Sequence, residues 1–162
     1  MICNLRLLGM RHTGAAARQE RPMPPLILAA DDNPIIRTLV ELTLLKAGFA
    51  VETFPDGASV LARVPTLAPD LVILDLDMPI IGGLETLQRL RAQHGASLPP
   101  VLMLTGSEDV HDMIHARRHG AVGYLCKPFE PSDLVTKVQQ LLEDPDLVWM
   151  DDVTCVRKIA TA

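Results

Sequence analysis

Short apolar segments alternate with longer segments of helical periodicity along most of this chain. The apolar segments predict five strands, at Leu26 to Ala30, Ala50 to Phe54, Leu71 to Asp75, Val101 to Thr105 and Val122 to Cys126. Five predicted helices follow them, at about Pro34 to Ala47, Asp56 to Val64, Leu84 to Gln93, Asp109 to His119 and Pro131 to Leu142. None of the 13 prolines lies in a predicted helix beyond its first turn. The alternation is typical of an α/β fold, a parallel sheet covered by helices on both faces.

The chain length of 162 residues fits one domain with short extensions. We predict a flexible N-terminal extension over residues 1–25, a folded domain over 26–143 and a C-terminal tail over 144–162 without an output domain. The apolar residues Leu147, Val148 and Trp149 leave two alternatives for the tail. It packs back on the domain, or it is part of a linker.

Charge and cysteine content indicate the compartment and exclude some partners. The net charge is -5 and the pI is about 5.4, so no overall basic field attracts nucleic acid. No apolar segment approaches the roughly 20 residues of a membrane span, and we expect no membrane insertion. The three cysteines, Cys3, Cys126 and Cys155, are odd in number and widely spaced, which argues against a disulfide framework and a structural zinc site. We therefore predict a cytoplasmic protein.

Polar residues stand where the predicted strands end. They are Asp31 and Asp32 after the first strand, Asp75 and Asp77 at the third, Thr105 at the fourth and Lys127 after the fifth. In an open α/β sheet, functional groups gather beyond the carboxyl ends of the strands, so these side chains are expected to converge on one edge.

Carboxylates placed close together repel each other unless a proton or a cation lies between them. A cluster with only oxygen ligands selects Mg²⁺ or Mn²⁺. A carboxylate beside such an ion can attack phosphorus, while a lysine and a hydroxyl bind the phosphoryl oxygens. Asp75 is the best candidate nucleophile, because it ends the central strand between the acidic pair and the Thr105 strand. The expected product is an aspartyl phosphate.

From Leu26 to about Glu143, the order and spacing of these residues resemble the receiver domain of two-component response regulators. The residues that carry the resemblance are Asp31, Asp32, the run from Asp75 to Pro79, Gly82, Gly83, Thr105, Ala116, Gly120, Ala121, Tyr124, Lys127, Pro128 and Phe129. The likeness implies a flavodoxin-like, doubly wound sheet of five parallel strands in the order 2-1-3-4-5, with five helices. It also implies a single-domain response regulator rather than an enzyme.

The resemblance assigns a role to each site residue. Asp75 would accept a phosphoryl group from a histidine kinase or a histidine phosphotransfer protein. The phosphorylated protein would then act on a downstream effector protein. Asp32, Asp75 and the Asp77 carbonyl would hold Mg²⁺, with Asp31 in the outer part of the cluster. A homodimer is left open.

The resemblance also implies a switch. Thr105 and Lys127 would bind the phosphoryl group. Tyr124 would turn inward as Thr105 moves, changing the face made by the fourth helix, fifth strand and fifth helix. The bond between Lys127 and Pro128 would be cis.

Two other features leave alternatives. Asp75 and Asp77 form a DxD run like that of haloacid-dehalogenase phosphatases, although such enzymes carry it on their first strand. His111, His115 and His119 recur every four residues on the fourth predicted helix. We expect them to face solvent, opposite Val110, Met113 and Ile114, and to contact a partner rather than a metal.

Overall fold

The chain forms a parallel sheet with helices on both faces in a computed structural model that describes residues 23–106 and 109–144. The strands are β1 (Leu26–Ala30), β2 (Ala50–Phe54), β3 (Leu71–Asp75), β4 (Val101–Thr105) and β5 (Gly123–Cys126). The helices are α1 (Pro34–Lys46), α2 (Gly57–Leu67), α3 (Gly83–His94), α4 (Val110–Arg118) and α5 (Pro131–Glu143), with a short 3₁₀ turn at Gly95–Ser97.

The sheet order is β2-β1-β3-β4-β5, as predicted, and each neighbouring pair is parallel. β3 and β4 are fully buried, which explains why their sequences are apolar nearly throughout. The carboxyl ends of β1, β3 and β4 lie side by side, since Ala30 pairs with Leu74 and Asp75 pairs with Leu104. The residues that follow these strands therefore meet at one edge.

Two hydrophobic clusters fill the two faces of the sheet. One face packs against α2, α3 and α4, and the other packs against α1 and α5. Asn33 caps α1 by accepting hydrogen bonds from the backbone N–H groups of Ile35 and Ile36. Gly48 follows α1 with φ of 90°, the left-handed conformation that glycine favours after a helix. Both features agree with the predicted bounds of this helix, about Pro34 to Ala47.

The predicted end of the second helix, at Val64, is three residues too early. This helix continues past Val64 to Leu67 and contains Pro65. Proline removes one backbone donor, and near the end of a helix only one intrahelical bond is lost. The backbone N–H of Ala68 bonds to the Val64 carbonyl, so the chain closes the helix after the proline.

The expected orientation of α4 is only partly right. Met113 is 7% exposed and packs in the core, but Val110 is 50% exposed and Ile114 is 42% exposed. α4 buries a narrow face, Met113 and Ala116, three residues apart. His111 and His115 face solvent as expected, whereas His119 ends the helix and is half-buried.

Among the described residues, no helix is long and apolar enough to cross a membrane.

Candidate functional site

A buried ion-pair cluster lies at the carboxyl edge of the sheet. The ammonium of Lys127 is 2.6 Å from Asp31 Oδ2 and 3.0 Å from Asp75 Oδ1. Both carboxylates are almost inaccessible to solvent, and the lysine side chain is 18% exposed. The Lys127 ammonium therefore links the carboxylates that follow β1 and end β3.

The backbone after β5 places this lysine. The Lys127–Pro128 bond is cis, as the resemblance implies, and the Lys127 N–H donates to the Thr105 carbonyl at 2.7 Å. The loop that carries the ammonium is thus attached to the end of β4. Thr105 itself is 1% exposed, at the position where β4 ends beside β3.

Burial and hydrogen bonds shift the pKa values of Asp75 and Lys127. Burial raises the pKa of the Asp75 carboxyl above its usual range, although the Lys127 ammonium acts in the opposite direction. Burial alone would lower the pKa of Lys127, but hydrogen bonds to Asp31 and Asp75 outweigh it, so this pKa lies above its usual range. Lys127 therefore keeps its positive charge at neutral pH.

The turn between β1 and α1 holds the acidic pair in place. Asp31 Oδ1 accepts a hydrogen bond from the Asn33 N–H at 2.9 Å. Arg37, on the first turns of α1, donates from Nη1 to the Asp31 carbonyl at 2.8 Å. The turn is thus closed from both sides, which restricts where the two carboxylates can point.

The relative burial of the pair differs from our expectation. Asp31, expected in the outer part of the cluster, is 2% exposed and pairs directly with Lys127, whereas Asp32 is the exposed carboxylate. The reason is that Asp31 continues the line of β1 toward Lys127, with its N–H bonded to the Phe54 carbonyl. Asp32 is the next residue along the chain, beyond this hydrogen bond between β1 and β2, and its side chain is exposed.

The carboxylates of Asp31, Asp32 and Asp75 suit a divalent cation. One oxygen from each lies within 4.8 Å of the others. Three carboxylates and one ammonium leave two uncompensated negative charges, and oxygen ligands are those that Mg²⁺ and Mn²⁺ prefer. The donor set therefore fits the ion that the sequence predicts. Asp77 is exposed, and its contact with the cluster is a long N–H hydrogen bond to Asp75 Oδ1 at 3.4 Å.

Tyr124 is placed between the site and α4. Its side chain is 2% exposed, and its hydroxyl donates to the Asp112 carbonyl of α4 at 2.9 Å. Tyr124 is therefore buried and bonded to α4, and its movement on phosphorylation stays a prediction. Tyr124 lies on β5, two residues before Cys126. It is on the sheet face that packs against α4.

The sequence and the fold match a known family. The match to the response regulator receiver domain covers residues 27–139. The chain belongs to this family. Receiver domains are signalling domains, so the family assignment favours the response-regulator interpretation over the phosphatase alternative. The position of the DxD run on the third strand of the sheet agrees with this conclusion.

Curated relatives place the receiver domain within longer proteins. The chain is 39% identical over 124 residues to the DNA-binding dual master transcriptional regulator RpaA of Synechocystis, covering 76% of this chain and 52% of RpaA. It is 37% identical over 116 residues to the DNA-binding response regulator MtrA of Mycolicibacterium smegmatis, covering 72% of this chain and 50% of MtrA. The chain thus spans about half the length of the curated relatives it matches.

Solved structures agree with the fold. The chemotaxis protein CheY4 of Vibrio cholerae is 36% identical, with a TM-score of 0.69, and the match covers 72% of this chain and 98% of CheY4. The Francisella response regulator 1452 receiver domain is 28% identical, with a TM-score of 0.68, over 74% of this chain and 97% of that domain. The receiver core of this chain is therefore similar to whole CheY-like domains.

Two contacts of this receiver domain were missed by sequence reasoning. Arg37 bonds to the backbone of the acidic pair, and Lys137 of α5 donates from Nζ to the Tyr124 carbonyl at 2.6 Å. Lys137 stands beside Val138 in the apolar stripe of α5, and a lysine there was a usable signal. Arg37 gave no such signal, because an arginine on a helix usually faces solvent.

The prediction that the cysteines do not pair is wrong for Cys126, which is disulfide-bonded. Cys126 is half-buried at the end of β5, directly before Lys127. The sequence argument considered only spaced cysteine motifs, and a single pair of distant cysteines has no such motif.

Proposed function

We propose that this receiver domain accepts a phosphoryl group on Asp75 from a histidine kinase or a histidine phosphotransfer protein. The observation that supports this role is the buried Lys127 ammonium bound to both Asp31 and Asp75 at the carboxyl edge of the sheet. It holds the Asp75 carboxylate in one orientation beside a cluster that fits a divalent cation. Such preorganisation lowers the cost of the transfer step.

In the transfer, an oxygen of the Asp75 carboxylate forms a bond to phosphorus as the P–N bond of phosphohistidine breaks. The electron pair of that bond stays on the imidazole nitrogen, which then takes a proton from solvent. Lys127 remains protonated and donates to the phosphoryl oxygens, together with the Thr105 hydroxyl. In this proposal the protein promotes only its own phosphorylation and dephosphorylation, so it is not an enzyme with a separate substrate.

Asp31, Asp32, Asp75 and the Asp77 carbonyl are the residues proposed to hold Mg²⁺ or Mn²⁺. A bound divalent cation would neutralise the charge on the phosphoryl oxygens. Asp32 is the exposed carboxylate among Asp31, Asp32 and Asp75, so it is the one most open to solvent.

The signal is proposed to leave through the surface formed by α4, β5 and α5. Thr105 would move toward the phosphoryl group, and Tyr124 would respond through its hydrogen bond to the Asp112 carbonyl. Lys137 ties α5 to the same tyrosine backbone. Moving a population from mostly inactive to mostly active takes about 5.5 kcal/mol of differential interaction, which a few charge-assisted hydrogen bonds can supply.

The proposed partners are the phosphodonor and a downstream effector protein in the cytoplasm. The single-domain organisation, the extensions 1–25 and 144–162, a homodimer and the lack of nucleic-acid binding stay predictions. RpaA and MtrA carry the description DNA-binding, and this chain matches about half of each.

Phosphorylation with a small phosphodonor tests the proposal. We expect the full chain, incubated with Mg²⁺ and acetyl phosphate, to gain the mass of one phosphoryl group. Asp75→Asn should gain none, whereas Asp133→Asn, a matched change on the exposed surface of α5, should behave like the parent.

Two results would contradict the proposal. One is a phosphoryl group that maps to another residue. The other is rapid multiple turnover of small phosphate esters, which would restore the phosphatase alternative.

A further inference from the structure

A disulfide-bonded cysteine lies beside two residues of the proposed phosphoryl site. Cys126 is disulfide-bonded and half-buried at the end of β5. It is opposite Thr105 in the register of β4 and β5, and the next residue of the chain is Lys127. The Lys127 N–H donates to the Thr105 carbonyl at 2.7 Å, so the three residues are held together at one end of the sheet. A restraint on Cys126 therefore acts on the backbone that carries the Lys127 ammonium.

The Lys127 ammonium has to shift if it is to bind a phosphoryl group on Asp75. It is now 2.6 Å from Asp31 Oδ2 and 3.0 Å from Asp75 Oδ1, in the state in which Cys126 is disulfide-bonded. To donate to phosphoryl oxygens, the ammonium must give up part of this double contact. A covalent restraint on the preceding residue opposes the shift, because the two residues share a planar peptide bond.

The length of the chain after α5 allows Cys155 to reach Cys126. α5 starts five residues after Cys126 and has 13 residues, so its end lies about 20 Å from its start. The 11 residues from Asp144 to Cys155 span about 36 Å when extended. A disulfide requires the two Cα atoms to come within about 7 Å of each other. The chain is therefore long enough to return along α5 and form this bond.

Cys3 is the competing partner, and it has the longer tether. Cys3 lies 23 residues before Leu26, the first residue of β1, whereas Cys155 lies 11 residues after Asp144. The effective concentration of a tethered group falls roughly as the 3/2 power of tether length, so the ratio favours Cys155 by about threefold. Both cysteines lie outside residues 27–139, which match the receiver family.

We propose that Cys126 and Cys155 form a reversible disulfide that restrains Lys127 and slows phosphorylation of Asp75. The effect on Asp75 rests on the proposed function, whereas the disulfide itself does not. The sequence predicts a cytoplasmic protein, and disulfides in that compartment are rare and mostly transient or redox-sensing. The bond is thus a modification that follows the thiol–disulfide balance of the cell.

Oxidised glutathione, a low-molecular-weight disulfide, is the oxidant of the proposed step. The thiolate of one cysteine attacks a sulfur of oxidised glutathione and displaces one glutathione thiolate. The second cysteine then attacks the mixed disulfide and releases the other glutathione thiolate. The two protein thiols lose two electrons and two protons, and one oxidised glutathione becomes two molecules of glutathione. A thiol reductant reverses the exchange.

Peptide mapping of the full chain tests the pairing. After treatment with oxidised glutathione, we expect the intact mass to fall by the mass of two hydrogen atoms relative to the chain reduced with dithiothreitol. Non-reducing digestion should yield a peptide pair that links Cys126 to Cys155. Cys155→Ser should lose this link, and Cys3→Ser is the matched control that should keep it. A link from Cys126 to Cys3, a glutathione that remains attached to Cys126, or two unchanged thiols would overturn the proposal.

The rate of phosphorylation by acetyl phosphate and Mg²⁺ tests the consequence. We expect the oxidised parent to be phosphorylated about tenfold more slowly than the reduced parent, because small displacements of a positioned group cost large factors in rate. Cys155→Ser should show the rate of the reduced parent with or without oxidised glutathione. Cys3→Ser should respond to oxidised glutathione as the parent does. Equal rates for the oxidised and reduced parent would overturn the proposed control of Asp75.

The two measurements separate the two proposals. A reduced parent that gains no phosphoryl group on Asp75 would count against the proposed function, while the mapped link would still test the disulfide. A reduced parent that is phosphorylated, with no link between Cys126 and Cys155 after oxidation, would overturn the disulfide and leave the proposed function intact.

Discussion

At the scale of single residues, the site depends on one lysine and two carboxylates with unequal environments. Lys127 is held between Asp31 and Asp75, and burial still leaves the pKa of Asp75 above its usual range. A carboxyl whose pKa is raised on folding destabilises the folded state when it is ionised. The ionised carboxylate of Asp75, the proposed phosphoacceptor, therefore destabilises the folded state.

We expect Asp75→Asn to raise the free energy of unfolding at neutral pH in a chelator. The gain in stability of Asp75→Asn over the parent should shrink as the pH falls through the raised pKa of Asp75. Below that pKa the folded parent carries a neutral carboxyl, as the variant carries a neutral amide. Urea unfolding of both proteins across this range measures the difference. A less stable Asp75→Asn at neutral pH would show that the Lys127 ion pair outweighs burial.

A second residue under strain is Ile80, in the loop after Asp75. It has φ of 70° and is 95% exposed, so its side chain gains little from packing. We expect Ile80→Gly to stabilise the protein by about 0.5–1 kcal/mol, because relief of roughly 1–2 kcal/mol of left-handed strain outweighs the backbone entropy of glycine. Thermal unfolding measures this. Ile35→Gly, at an exposed helical position, should destabilise instead.

At the scale of elements, close backbone contacts position Asp75, the proposed phosphoacceptor. A Cβ added to Gly83, the first residue of α3, would overlap with the carbonyl oxygen of Asp75. α3 can therefore approach β3 only because this residue has no side chain. The glycine acts by the absence of a Cβ rather than by an unusual φ.

We expect Gly83→Ala to destabilise the fold by about 2–3 kcal/mol, since backbone atoms rather than a flexible side chain must move. Phosphorylation of Asp75 should slow as well, because its backbone shifts. Gly106→Ala is the control, as nothing lies within 4 Å of its added Cβ, and it should change stability by less than about 0.5 kcal/mol. Equal effects in chemical denaturation would contradict this interpretation.

At the scale of the whole molecule, the charge cluster lies at the topological switch point, where the strand order changes direction between β1 and β3. β1 has β2 on one side and β3 on the other, and ligands of such folds bind beyond the strand ends at this point. The pocket therefore joins segments from both halves of the domain. Neutralising its excess negative charge should stabilise the domain as a unit.

Binding of Mg²⁺ is expected to raise the melting temperature by mass action. At a free concentration 100 times the dissociation constant, the gain is about 2.7 kcal/mol. Asp32→Asn should cost little stability without the ion, since Asp32 is exposed, but should abolish most of the Mg²⁺-dependent shift. Asp133→Asn should retain it. Differential scanning fluorimetry with a Mg²⁺ series checks this, and an undiminished shift in Asp32→Asn would place the ion elsewhere.

The strands, their order through the family resemblance, and the residues of the site could be predicted from the sequence. Apolar runs, an N-cap such as Asn33 and the residues that end each strand are local signals, because they follow from the period of the backbone. The resemblance carried by Asp75, Thr105 and Lys127 implied the strand order, and parallel strands bring their carboxyl ends together.

Only the tertiary structure decided how those residues are used. It buried Asp31 rather than Asp32, exposed Val110, Ile114 and apolar residues of α1 such as Leu42, and left Cys126 half-buried on the edge strand β5. The physical reason is that burial depends on contacts between segments distant in the chain, whereas periodicity records only neighbours along one element. The sequence therefore determined which groups meet at the edge of the sheet, and packing determined which of them are buried, charged or open to a partner.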